Sequence, residues 1–234
     1  MTDGRIQAVA FDAAGTLLRL REPVGETYSR FAKTHGVDVP AGRLDESFAR
    51  VFRAAPPNLH AGEPIWRSEA LERAWWHDRV RETFRSADQM VRFDEFDLFF
   101  AEVWDHYAGA GAWELAAGTR EALTSISKSG RLLAVLSNFD HRLRPLLASF
   151  ELADFFEAIT TPADAGAAKP DRRIFDVCLK RLGLGGHRVA YVGDDPSDDH
   201  EGAQLAGLHP IDVTRFSSLT ELPAALDALE KELE

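Results

Sequence analysis

Five short apolar stretches punctuate the chain, and between them run longer segments in which apolar residues return every three or four positions. Ile6 to Phe11, Leu132 to Leu136 and Arg188 to Val192 are β-prone runs with the continuous apolar character of strands buried on both faces. Glu157 to Thr160 and Leu208 to Val213 are weaker versions of the same pattern. Helical periodicity covers Thr119 to Lys128, Arg142 to Phe150, Arg172 to Leu182 and Asp198 to Ala206. Strands alternating with helices in this way predict a doubly wound α/β fold around a parallel sheet.

The stretch from Arg19 to Trp113 carries helical periodicity without a convincing strand. Helices are predicted over Pro23 to Lys33, Arg43 to Ala54, Trp66 to Phe84 and Phe93 to Tyr107, with breaks at Pro56-Pro57 and Ala61-Gly62-Glu63-Pro64. One strand precedes this stretch and the others follow it. The pattern therefore reads as an all-helical insert, residues 19–114, in a discontinuous α/β domain made of residues 1–18 and 115–234. The insert holds most of the aromatics, among them Phe31, Phe48, Phe52, Trp66, Trp76, Phe84, Phe99 and Trp104, which are expected to form the core of a small helical bundle.

Composition narrows the picture. A chain of 234 residues with 45% hydrophobic and 28% charged residues is an ordinary globular protein, long enough for one large domain or two modest ones. Its formal charge of −11 disfavours nucleic acid or an anionic membrane surface as a partner, and leaves a small phosphorylated molecule whose charge is met by a local cation. The single cysteine, Cys178, lies in a helical run and is expected to pack rather than react. Neither a leader pattern at Met1 to Arg5 nor an apolar stretch of membrane-spanning length is present, so a cytoplasmic monomer or homodimer is expected.

Polar residues gather where the apolar runs end. Asp12 follows the first run and opens a tight turn, Asp12-Ala13-Ala14-Gly15-Thr16; a carboxylate there can attack phosphorus, or simply cap the turn. Ser137-Asn138 follows the second run and offers a hydroxyl and an amide suited to phosphate oxygens. Gly193-Asp194-Asp195-Pro196-Ser197-Asp198-Asp199 follows the third, a set of hard oxygen donors that suits Mg²⁺. Lys169, restricted by Pro170, can neutralise a phosphoryl group or the carboxylates around it. In a parallel sheet all of these meet at one edge.

The order Asp12-x-x-Gly15-Thr16, Leu136-Ser137-Asn138, Lys169-Pro170 and Gly193-Asp194 with Asp199 five residues on resembles the four motifs of the haloacid dehalogenase superfamily. The runs Gly15 to Glu26 and Lys169 to Phe175 are similar to its subfamily I, on the branch of the rhythmically expressed gene product of flies. The resemblance implies a Rossmann-like core with a helical cap, Asp12 as nucleophile, and Mg²⁺ held by Asp12, the Ala14 carbonyl and Asp194, with Asp199 in support. It also implies that Thr16 steadies the loop, that Ser137 binds the phosphoryl group with Asn138 beside it, and that Lys169 screens charge. Asp195 stands where a Ser is more usual.

Ala14 departs from the pattern, because most phosphatases of the superfamily carry a second Asp there to protonate the leaving group. Three functions are compatible with that change: a slow Mg²⁺-dependent phosphatase, a C–P or C–halogen hydrolase, and a phosphate-binding module without turnover. The C–P hydrolases similar to this chain in having Ala at that position also use a cap lysine, and the insert's one lysine is Lys33.

Overall fold

The apolar runs become strands of a single sheet, and their flanking polar residues mark where each strand stops. The structure, a computed structural model, describes residues 5–59 and 62–234. Met1 to Gly4 and Ala61, on which parts of the sequence reading rested, lie outside the described residues. Along the chain come β1 (Ala8–Phe11), β2 (Leu18–Leu20), α1 (Val24–Thr34), α2 (Ala41–Ala54), α3 (Ile65–Ala87), α4 (Phe96–Ala108) and β3 (Trp113–Leu115). They are followed by α5 (Thr119–Lys128), β4 (Leu132–Leu136), α6 (Leu143–Ser149), β5 (Ala158–Thr160), α7 (Pro162–Ala165), α8 (Arg172–Leu182) and β6 (Val189–Gly193). The chain closes with α9 (Gly202–Leu205), β7 (His209–Asp212) and α10 (Leu222–Leu233).

The chain divides into two compact units, one holding residues up to Arg19 and from Leu115 onward, the other Leu20–Asn58 and Glu63–Glu114. In the first unit the sheet order is β5-β4-β1-β6-β7, and its four strand pairs are all parallel. β1 lies centrally because its residues Ala8 to Phe11 are buried on both faces. The strand order turns back at β1, with β4 and β5 on one side and β6 and β7 on the other, which is where such sheets open a crevice for ligands. Ala8, Ala10, Ala134 and Leu136 pack on Ile174, Phe175, Cys178, Leu179 and Leu182 of α8. Cys178 is a packing residue, its thiol pushed up to about 11 by burial.

The second unit is helical, with a core of Tyr28, Leu44, Val80, Phe84, Phe99, Phe100, Val103 and Trp104. Most of the insert's aromatics enter or flank this core, but Trp66 is 71% and Phe52 47% exposed. The close approach of α1 and α2 depends on Gly25. A Cβ built there would lie 2.1 Å from the Ala41 carbonyl oxygen and 2.7 Å from the Asp45 carboxylate, which accepts the Gly25 N–H at 2.6 Å. Replacing Gly25 with Ala should force the two helices apart and cost about 2–3 kcal/mol, read by urea unfolding at unchanged m-value. A loss below about 0.5 kcal/mol would show that the contact yields easily.

Several expected boundaries shift. The margins of the expected helical stretch carry strands, since β2 and β3 pair as a two-stranded ribbon. The helix expected over Asp198 to Ala206 is instead a π-helical turn, Pro196–Glu201, followed by the short α9. The acidic C-terminal helix is tied down at Glu230. Its Oε1 accepts the Ile6 N–H at 2.9 Å and lies 3.0 Å from Arg131 Nη2. Among the described residues no helix is long and apolar enough to cross a membrane.

Candidate active site

The Asp12 N–H donates to the Val192 carbonyl at 2.9 Å, prolonging the β1–β6 ladder by one residue and delivering the Asp12 side chain to the carboxyl edge of the sheet. The chain then turns sharply, with the Leu17 and Leu18 N–H groups both donating to the Ala13 carbonyl at 2.9 Å. Gly15 sits in this turn at φ +93°, and a Cβ there would fall 2.5 Å from an Asp194 carboxylate oxygen. Only a residue without a side chain lets the loop come so near that carboxylate. Thr16, fully buried, donates to Asp194 Oδ1 over a long 3.4 Å.

Lys169 organises the centre. Its buried ammonium donates to Asp12 Oδ1 at 2.8 Å, to Asp199 Oδ1 at 2.5 Å and to the Tyr191 hydroxyl at 3.1 Å. The main chain of Lys169 is clamped by Asn138, whose Oδ1 accepts the Lys169 N–H at 2.7 Å while its Nδ2 donates to the Lys169 carbonyl at 3.1 Å. Nδ2 also reaches Asp198 Oδ2 at 3.2 Å. Asn138 therefore engages Lys169 with the amide that the sequence reading assigned to substrate. Ser137, buried just past the end of β4, accepts the Phe139 N–H on its hydroxyl at 3.3 Å, and its side chain helps to lower the Asp12 carboxyl against the stronger effect of burial.

The π-helical turn explains how the acidic cluster sorts itself. Asp195 caps it, accepting the Ser197 and Asp198 N–H groups at 2.8 Å on Oδ1, which gives this residue a structural task. The turn points Asp199 inward, where its Oδ2 accepts the N–H groups of Asp194 and Asp195 at 3.0 Å each. Lys169 donates to Oδ1 and the Tyr191 hydroxyl lies 3.0 Å from it, so both oxygens of Asp199 are engaged. Asp194 is half-buried and faces the turn that holds Gly15.

Asp12, Asp194 and Asp199 each bring a carboxylate oxygen within 4.8 Å of the others. Three carboxylates against one ammonium leave an excess of two negative charges, and the titration behaviour reflects it. Burial raises the Asp12 carboxyl, with Lys169 opposing and Asp199 reinforcing the shift. Asp194 is pushed up to about 6 by burial and by its two acidic neighbours. Burial works against the Lys169 ammonium, but Asp12 and Asp199 hold its pKa above the ordinary value, so it stays charged. A buried excess of two negative charges built from hard oxygen donors fits a divalent cation such as Mg²⁺.

The site thus brings together Asp12, Thr16, Ser137, Asn138, Lys169, Asp194 and Asp199, with Ala14 on the turn two residues beyond Asp12. Sequence reasoning missed Tyr191. Its signal was a hydroxyl inside an otherwise apolar strand, which needs a buried partner.

A family model described as haloacid dehalogenase-like hydrolase matches residues 6–207. The haloacid dehalogenase-like hydrolase domain-containing protein 3 of Xenopus laevis is 34% identical over 207 residues, covering 87% of this chain and 82% of that protein. The Rhythmically expressed gene 2 protein of Drosophila melanogaster is 24% identical over 216 residues, with 88% and 82% covered. Among solved structures, a putative HAD-hydrolase of Bacillus subtilis bound to magnesium shares the fold with a TM-score of 0.70 at 17% identity, over 95% of this chain and 99% of that one.

Proposed function

This chain belongs to the haloacid dehalogenase-like hydrolases, and on that footing we propose that it hydrolyses the phosphoester of a small phosphorylated metabolite, with Asp12 as nucleophile and Mg²⁺ as cofactor. The observation that carries this reading is the 2.8 Å contact between Lys169 Nζ and Asp12 Oδ1 in a buried site. It sets a nucleophilic carboxylate beside a fixed cation. An Asp12 oxygen attacks phosphorus, the ester P–O bond breaks, and the leaving oxygen departs with the bond's electron pair. Ser137 and Lys169 hold the phosphoryl oxygens meanwhile. Water then attacks the phosphorus of the aspartyl-phosphate, releasing inorganic phosphate and restoring Asp12.

Asp12, Asp194 and the Ala14 carbonyl would hold Mg²⁺, which supplies the charge neutralisation that lets a carboxylate approach a phosphoryl group. Asp199, its oxygens already occupied, supports the ligands from behind by fixing Lys169 and the Asp194 N–H. The C–P hydrolase alternative, which calls for a cap lysine, gains no support from Lys33, which is exposed and pairs with Asp38 at 3.5 Å.

The test is hydrolysis of an aryl phosphate with Mg²⁺ and with a chelator, followed by acid quench and intact-mass analysis. The expected outcome is chelator-sensitive turnover and a phosphoryl adduct that Asp12→Asn cannot form. Turnover indifferent to chelation, or an adduct persisting in Asp12→Asn, would remove the assignment.

A further inference from the structure

We propose that Tyr191 is a positioning residue for Lys169, holding one leg of the ammonium in place while another is released to the phosphoryl group. Tyr191 is fully buried on β6, with its ring edge-on to Phe175 at 5.5 Å between centroids. Phe would fill that space equally well, so the hydroxyl calls for its own account. Its one proton has the Leu136 carbonyl at 2.8 Å as its nearest acceptor, with Asp199 Oδ1 the alternative at 3.0 Å, and its oxygen accepts from Lys169 Nζ at 3.1 Å.

An ammonium has three protons and no lone pair. Here all three are assigned, to Asp12, Asp199 and Tyr191. A phosphoryl oxygen must therefore displace one acceptor when it reaches Lys169. Asp12 is the acceptor that gives way, because its oxygen is the one that turns to phosphorus. Asp199 cannot follow, since its other oxygen is fixed by two main-chain N–H groups at 3.0 Å. Tyr191 cannot follow either, being a strand residue whose hydroxyl is bonded to Leu136, the neighbour of Ser137. Two rigid legs leave the third N–H aimed at the reacting group. Without the Tyr191 hydroxyl the ammonium pivots on Asp199 alone, and a small misdirection of a catalytic cation lowers the rate more than it weakens binding.

The kinetic part of this inference rests on the phosphatase reading, and the spectroscopic part does not. Tyr191→Phe should lower kcat for an aryl phosphate by about ten-fold, while KM changes by less than about two-fold. In protein labelled with ¹⁵N-lysine, the Lys169 ammonium signal, assigned by its loss in Lys169→Met, should exchange with water at least several-fold faster in Tyr191→Phe. Unchanged ammonium exchange overturns the proposal whatever the kinetics, since a rate loss would then belong to strand packing. In an active protein, unchanged kcat overturns it as well. A wild-type protein inactive toward phosphate esters would sink the phosphatase reading and leave this one to be decided by the ammonium. If Tyr191→Phe does not fold, 3-fluorotyrosine labels the chain's three tyrosines without a change of shape. The fluorine signal of Tyr191, the one most perturbed by the nearby charge, should then shift in Lys169→Met, and three unshifted signals overturn the proposal.

Discussion

Lys169→Met should lose about 10²–10³-fold in kcat and about 3–5 kcal/mol of stability in the absence of divalent cation. The activity loss follows from removing the fixed positive charge beside Asp12. The stability loss has a different origin, because Met fills most of the space and the deficit is electrostatic: Asp12 and Asp199 stay buried with no counter-charge. Its pH dependence has a definite sign. A carboxyl whose folded pKa is raised above its unfolded value destabilises the fold wherever the unfolded chain would be ionised, and that penalty fades as pH falls through the raised pKa. With Lys169 in place Asp194 already stands at about 6, and without it the cluster rises further. The deficit of the variant should therefore be large at pH 8, be shrinking already by about pH 6, and fall further below it. Urea unfolding at both pH values, with chelator and with Mg²⁺, measures it. Mg²⁺ should recover part of the loss by binding the folded state alone. A deficit independent of pH and of Mg²⁺ would make it a packing defect, and the electrostatic account would fail.

The parts of this site that were legible in the sequence are those dictated by local pattern. Leu132 to Leu136 forms a strand with the bounds of its apolar run, because every position but the first is buried and nothing in the run breaks it. Asp12 and Asp194 follow strands whose C-terminal ends share one edge of the sheet, so the parallel topology brings them together. What could not be read depends on partners distant in sequence or on a local geometry with several solutions. The clamp of Asn138 on Lys169 joins positions 31 residues apart, and either residue alone resembles an ordinary polar turn residue. The choice among Asp195, Asp198 and Asp199 is made by the π-helical turn. The His200 N–H donates to the Asp195 carbonyl five residues back, and Asp199 is carried to the centre. The sequence predicts an α-helix from Asp198 onward, and an α-helical turn there would have rotated those carboxylates differently. The role of Glu230 was hidden for the same reason: its partners, the Ile6 N–H and Arg131, are 224 and 99 positions away.

Ala14→Asp should raise the turnover of alkyl phosphates by about 10-fold or more, up to the 10²–10⁴-fold that positioned acid–base catalysis commonly supplies. The present chain offers a methyl group where protonation of the leaving oxygen would need a carboxyl. An alkoxide departing without a proton is a poor leaving group, whereas an aryloxide is stabilised by its ring, so the deficit falls mainly on alkyl esters. On the proposed mechanism the second half-reaction should suffer as well, because water attacking an aspartyl-phosphate would find no base at position 14. The wild-type adduct should therefore persist longer than that of the variant. The new side chain would stand on the turn that Gly15 brings against Asp194, so Mg²⁺ affinity must be measured alongside the rates. Paired kinetics on one alkyl and one aryl phosphate, with quenched-flow mass analysis of the adduct, form the test. The expected result is a large gain on the alkyl ester, a smaller gain on the aryl ester, and a shorter-lived adduct. If the variant folds and binds Mg²⁺ as the wild type does, yet gains on neither substrate and leaves the adduct lifetime unchanged, the missing acid is not what limits this protein. Retained phosphate binding without turnover would then become the better description of the site.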